Sequence, residues 1–152
     1  MQDKWVKRML GLAAHIAEWS KDPSTKVGAV IADSYNRIVS LGFNGFAKGV
    51  EDLPERLNNR ELKYEMVVHA EVNAILFADR ALHDCSLFVH PLPPCSRCAA
   101  VIIQSGIKEV YAPKIPSAED AAIIERWRAS CLIAEQMFAD AGVKLEYVDV
   151  SI

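Results

Sequence analysis

Two short strings in the 152-residue chain bring together groups that could do chemistry in concert: His69-Ala70-Glu71 and Pro94-Cys95-Ser96-Arg97-Cys98. Each is ambiguous alone. A histidine and a glutamate at a helix start can be a satisfied ring and a carboxylate that complements the helix dipole, and two cysteines one turn apart can simply be buried. Together they offer one imidazole and two thiolates, which zinc takes in tetrahedral geometry. Three protein ligands leave a fourth position for water, as a catalytic site requires, whereas structural zinc normally has four protein ligands. Glu71 shares the first turn with His69 and is close enough to reach that water without being a ligand, which is the place of a general acid and base. Zinc lowers the pKa of a bound water to about 7, so a nearby carboxylate can take its proton and pass it on. The positive ends of two helices would also favour the thiolate forms.

The flanking elements must bring these strings together. Trp5, Met9, Leu12, Ile16 and Trp19 recur every three or four residues and predict a helix with a core-facing stripe, ending near Ser20. KVGAVIAD and RIVSLGFN, separated by SYN, predict an antiparallel hairpin. Residues 45–64 mix Gly, Pro and charge, and predict a long loop with one helical turn around 55–61. HAEVNAILFADRAL places Ala70, Ala74, Ile75, Phe77 and Ala78 on helical spacing, and SLFVH reads as a strand. Pro91, Pro93 and Pro94 then impose a rigid, extended connection. Cys95 opens a second helix that Gly106 ends, and KEVYAP follows as a strand, so this crossover predicts parallel pairing. Ser117 is the expected N-cap of a long helix to about Ala141, stopped by Gly142 before the strand VKLEYVDV. Strand-helix order then sets the two chemically loaded helix starts side by side.

No repeat or linker interrupts the chain, and one domain over residues 1–152 is expected. Hydrophobic residues make up 51% and charged residues 24%, the balance of a folded globular protein. Asp3, Lys4, Lys7, Arg8 and Glu18 break up the first twenty residues, so no signal-peptide core is read there. No segment has the roughly 18 apolar residues a membrane span needs. A cytoplasmic protein with free thiols at Cys85, Cys95, Cys98 and Cys131 is the expectation. A net charge of −3 gives no footprint for a polyanion, which argues for a small-molecule substrate and against nucleic-acid or membrane partners.

The order H-x-E followed by P-C-x-x-C is the signature of zinc-dependent nucleobase deaminases. Within that class SKDPSTKVGAVI, GFNG, KYEMVVHAEVNAI and PPCSRCAAVIIQSGIKEV resemble, in order and interval, blocks of the deoxycytidylate deaminase family, from about Ser20 through Tyr111. Free-nucleoside cytidine deaminases usually carry Cys in place of His69, and deaminases acting on tRNA differ after the proline-cysteine pair. The resemblance implies a three-layer α/β/α cytidine-deaminase-like fold with a central mixed five-stranded sheet flanked by helices. It implies one zinc per chain held by His69, Cys95 and Cys98, no organic cofactor, and a homo-oligomer. The implied reaction is hydrolysis of dCMP to dUMP and ammonia, a supply of dUMP for thymidylate synthesis. Water activated at the metal attacks C4, Glu71 protonates N3 and then the departing amine, and the Ala70 N–H at the helix start donates to O2.

By the same resemblance Asn44 touches the sugar, for which a side-chain amide is suited, with a turn role in Asn44-Gly45 as its alternative. Thr25 and Lys26 stand where the family contacts phosphate, the alternative for Lys26 being a solvated charge. Lys63 and Tyr64 match a lysine-tyrosine pair, Tyr64 closing over the nucleotide or packing in the core. Were the phosphate not at Lys26, then Lys48, Tyr64 and Arg80 are the next candidates. Lys48 also lies in a loop where relatives bind a deoxynucleotide triphosphate effector, although Ala47 departs from the frequent proline there. Residues 45–68 contain neither Cys nor His, so the family's second zinc insert is not expected. His15, His83, His90, Cys85 and Cys131 are read as structural. The ERWR segment at 125–128 departs from the family pattern. The zinc motif fixes the reaction and not the ring. Another small amino-heterocycle, such as guanine, cytidine or a modified cytosine nucleotide, competes as substrate, as does a non-enzymatic zinc-stabilised interaction protein, against which an intact Glu71 argues.

Overall fold

A computed structural model describes residues 2–114 and 121–149. In chain order the elements are α1 (Asp3–Ala17), β1 (Gly28–Asp33), β2 (Ile38–Phe43), β3 (Gly45–Phe46), α2 (Pro54–Leu57), α3 (Arg60–Met66) and β4 (Val67–Val68). They continue with α4 (Ala70–Phe77), β5 (Cys85–His90), α5 (Ser96–Ser105), β6 (Glu109–Pro113), α6 (Ala121–Ala141) and β7 (Lys144–Val148). Five strands form one mixed sheet in the order β2-β1-β5-β6-β7. β1 runs antiparallel to β2, as the hairpin reading requires, and antiparallel to β5 on its other edge; β5 and β6 are parallel, as the crossover through α5 requires, and β7 pairs parallel to β6.

Helices cover both faces, so β1 is buried at all six positions. On one face Val30, Phe88 and Tyr111 meet Val6, Met9, Leu10 and Ala13 of α1. On the other Ala29, Ile31, Leu87 and Val110 meet Ala70 and Ala74 of α4, Ala99 and Ile102 of α5, and Ala134 and Phe138 of α6. The result is the expected α/β/α layering. Two glycines set how closely the helices approach. A Cβ on Gly28 would lie 2.1 Å from the Ala13 carbonyl oxygen in α1, and one on Gly42 would lie 2.5 Å from both the Ala70 oxygen and the Ala74 nitrogen in α4.

Several expectations need correction. The buried stripe of α1 is Val6, Met9, Leu10, Ala13, Ile16 and Ala17; Trp19 lies beyond the helix, 54% exposed, with its ring edge-on to Phe43. Residues 45–64 are more ordered than a loop with one turn, holding β3, α2 and most of α3. Helix α3 begins at Asn59, whose side chain accepts from the Leu62 N–H. Its apolar signal is weak because the residue it buries is a lysine, Lys63. Helix α4 ends at Phe77, where Ala78 turns extended, so it is shorter than its apolar spacing suggests. The α5 stop at Gly106, with φ 89°, is as expected. The N-cap expected at Ser117 lies outside the described residues. No helix among those residues is long and apolar enough to cross a membrane.

Candidate metal and catalytic site

Helices α4 and α5 begin unusually. N-cap positions favour Ser, Thr, Asp or Asn, whose side chains accept from the first-turn amides. Here the N-caps are His69 and Cys95, and neither side chain makes a cap bond. Both have extended backbone, His69 directly after β4 and Cys95 after the proline-rich segment 91–94, and their side chains converge. Cys98 follows one turn into α5. His69 Nδ1 lies 3.1 Å from Cys98 Sγ and 3.5 Å from Cys95 Sγ, and the three donor atoms lie within 4.8 Å of one another. Among the described residues this is the group so arranged, and both cysteines are buried. An imidazole and two thiols converging from two helix starts fit a zinc ion with an open fourth position.

The three donors also couple to one another through their protons. The Cys95 thiol is lowered to about 4, chiefly by the hydrogen bond from Cys98 and also by His69, so it stands as a thiolate. Cys98 is pushed well up because its hydrogen bond to Cys95 holds the proton, with burial acting in the same direction. His69 is raised by its contact with Cys95. Glu71 is 3% exposed in the first turn of α4, and burial raises its pKa. A carboxyl held this way can carry a proton as well as accept one.

The family profile described as "Cytidine and deoxycytidylate deaminase zinc-binding region" matches residues 3–114. The chain belongs to the cytidine and deoxycytidylate deaminase family. It is accordingly a zinc-dependent hydrolytic deaminase, with His69, Cys95 and Cys98 positioned to bind the ion. It is 46% identical over 152 residues to a deaminase from the luxG 3′ region of Aliivibrio fischeri, covering all of this chain and 99% of that protein. It is 44% identical over 113 residues to the deoxycytidylate deaminase of Mus musculus, covering 70% of this chain. This chain spans 63% of the length of that mouse relative. The dCMP deaminase of cyanophage S-TIM5, solved in complex with dCMP and dUMP, shares the fold, with a TM-score of 0.74 at 23% identity over 97% of this chain and 99% of that one.

A cavity of about 550 Å³ opens beside the cluster, in the size range of small-molecule sites. Thr25, Lys26, Asn44, Tyr64, His69, Ala70 and Glu71 all line it, so the structure brings together residues that the sequence spreads over nearly fifty positions. Lys48 and Arg80 are not among the lining residues. Arg80 instead pairs with Asp84 and Asp33.

Asn44 does more than face the cavity. Its Oδ1 accepts from the Val27 N–H at 2.9 Å and its Nδ2 donates to the Thr25 carbonyl at 3.0 Å, so its amide shapes the 22–27 loop. Asp22 holds the same loop from within, accepting from the N–H groups of Ser24 and Thr25. Lys63 closes the arrangement: its buried Nζ donates to Asp22 Oδ1 and to Ser24 Oγ, each at 3.0 Å. Sequence reading paired Lys63 with Tyr64 on family grounds and missed this structural task.

Arg60, His90 and Trp127 also line the cavity and were missed. Arg60 falls in the charged 45–64 segment, where no motif singled it out. His90 ends β5 where the parallel strands present their C-terminal edges, a recognised place for ligands in α/β sheets. Trp127 lies in the 125–128 segment that departs from the family pattern, so no motif pointed to it.

Proposed function

We propose that the protein hydrolyses dCMP to dUMP and ammonia, with Glu71 as its catalytic residue. The observation that carries this reading is one cavity lined by His69 of the metal cluster, by Glu71, and by the cations Lys26 and Arg60. A small anionic nucleotide matches that combination, and the mouse and cyanophage relatives named for dCMP support it. When bound, zinc supplies the Lewis acidity that makes a water a nucleophile at neutral pH. Glu71 takes one proton of the water as the water oxygen bonds to C4 and delivers it to N3. It then takes the second proton from the hydroxyl now on C4 and passes it to the amine, so that C4–O becomes a carbonyl as the C4–N bond breaks and ammonia leaves. The Ala70 N–H, in the first turn where amides lack intrahelical partners, donates to the O2 carbonyl. Thr25 and Lys26 contact the phosphate, Asn44 holds their loop beside the sugar, and Tyr64 covers the nucleotide.

Ammonia release and product identification across dCMP, CMP, deoxycytidine, dCTP, guanine and adenosine test the reading. dCMP is the expected best substrate, and preferred turnover of guanine or adenosine would overturn it. A charge-assisted hydrogen bond to phosphate is worth about 1.5–3 kcal/mol, so Lys26→Ala should cost roughly 10- to 100-fold in kcat/KM on dCMP and little on deoxycytidine. We further infer a cytoplasmic homo-oligomer of chains that each fold as one domain over 1–152. Leu76 and Phe77, 69% and 67% exposed on α4, support the assembly. A monomeric mass at micromolar concentration with full activity would contradict it.

A further inference from the structure

We propose that Trp127 determines specificity, as the wall against which the C5 edge of the pyrimidine packs, and that it limits the size of a C5 substituent. The inference rests on the dCMP reading above. Helix α5 lies between α4 and α6, packing on both. The metal cluster sits where α4 and α5 begin, with Glu71 on the α4 side. Trp127 comes from the α6 side, lines the same cavity, and its ring centroid is 6.0 Å from that of His69 at an interplanar tilt of 44°. Glu71 and Trp127 therefore reach the ligand-bearing end of the cavity from different helices, α4 and α6. At the reacting carbon C4 the ring has two neighbours, N3 and C5. If Glu71 serves N3, the other flank of C4 faces the indole.

The indole is also fixed in place. Its Nε1–H donates to the Pro93 carbonyl at 3.3 Å, in the segment leading to Cys95. Cys131, one turn further along α6, reaches the same carbonyl with its sulfur at 3.7 Å. Ser130 Oγ accepts from the Ser96 N–H at 2.9 Å and donates to Ser96 Oγ at 3.2 Å, joining α6 to the first turn of α5. A ring tied to the ligand-bearing segment by its own N–H, on a helix tied there twice more, cannot swing aside to admit a larger base. A rigid apolar wall discriminates by size, and one methylene is worth roughly 10- to 200-fold in kcat/KM.

Steady-state kinetics of wild type, Trp127→Phe and Trp127→Ala with dCMP, 5-methyl-dCMP and 5-propynyl-dCMP, alongside zinc content, decide the matter. In Trp127→Ala the 5-methyl-dCMP to dCMP ratio of kcat/KM should rise about 10-fold or more, the propynyl ratio should rise further, and zinc should stay at one per chain. Trp127→Phe should fall between. Trp127→Leu serves the same purpose should the alanine variant not fold. A purely structural tryptophan would lower turnover of all three substrates by one factor, and unchanged ratios would overturn the proposal while leaving dCMP deamination intact. Wild-type enzyme that fails to turn over dCMP would overturn both readings.

Discussion

The metal end of the cavity takes its ligands from two helix starts, His69 before α4 and Cys95 with Cys98 at α5, and each short motif carries its own geometry. The 22–27 loop on the cavity wall has no motif of that kind. It is shaped by Asn44 from the end of β2 and by Lys63 from α3, whose ammonium reaches Asp22 across 41 residues of sequence. Chemistry that needs a few atoms at fixed separation can be written into one helical turn. A wall that must fit a whole ligand is assembled from wherever the fold supplies side chains. Variants at the metal end should therefore remove turnover and leave the fold, whereas variants at the wall should act through stability and substrate affinity.

The largest effect should come from Glu71→Gln. General acid and base groups contribute typically about 10²–10⁴ in rate, and turnover should fall by that factor with zinc content and unfolding midpoint nearly unchanged. A variant with near-normal kcat would remove Glu71 from the chemistry. On the wall, Lys63→Met leaves the Asp22 carboxylate buried without its cation. Such losses cost about 3–5 kcal/mol, visible in denaturant unfolding, and KM should rise as the loop loosens. A loss below about 1 kcal/mol would show that Asn44 and the loop amides hold Asp22 unaided.

A smaller effect tests how the sheet sets the catalytic helix. Gly42→Ala forces a methyl against the backbone of α4 at Ala70 and Ala74, an overpacking worth about 1–3 kcal/mol. Because α4 carries His69 and Glu71 at its start, activity should fall by more than stability alone explains. A stable variant with full kcat would show that α4 has room to shift without disturbing the site.

The smallest effect concerns His90, whose pKa burial lowers below its ordinary 6.5. The unfolded chain then binds the proton more readily than the folded one, so this residue lowers stability as pH falls through about 6.5 and contributes no slope well above it. His90→Gln should match wild type near pH 7.5 and lose less stability than wild type on moving to about pH 5.5. Parallel pH profiles by denaturant unfolding would show that His90 titrates as it does in the unfolded chain.

The amino-acid order alone determined the metal donors, the position of Glu71, the hairpin of β1 with β2 and the parallel pairing of β5 with β6. Each of these depends on neighbours close in sequence: ligand spacing within one turn, β-branched runs broken by turns, and a glycine that ends α5 in a left-handed conformation. It misplaced the stripe of α1, because Trp19 fits the helical spacing yet falls beyond the helix and packs edge-on against Phe43. It also underrated residues 45–64, because α3 is amphipathic around a buried lysine and hydrophobic periodicity cannot see an ion pair. What only the tertiary structure decided is the wall of the cavity. Arg60 and Trp127 are unremarkable as letters and Lys63 stood out only beside Tyr64; all three acquire a role when α3 and α6 are carried to the cavity beside the starts of α4 and α5. Local rules of helix and strand fix what a segment becomes, but which side chains face one ligand follows from packing between segments far apart in the chain.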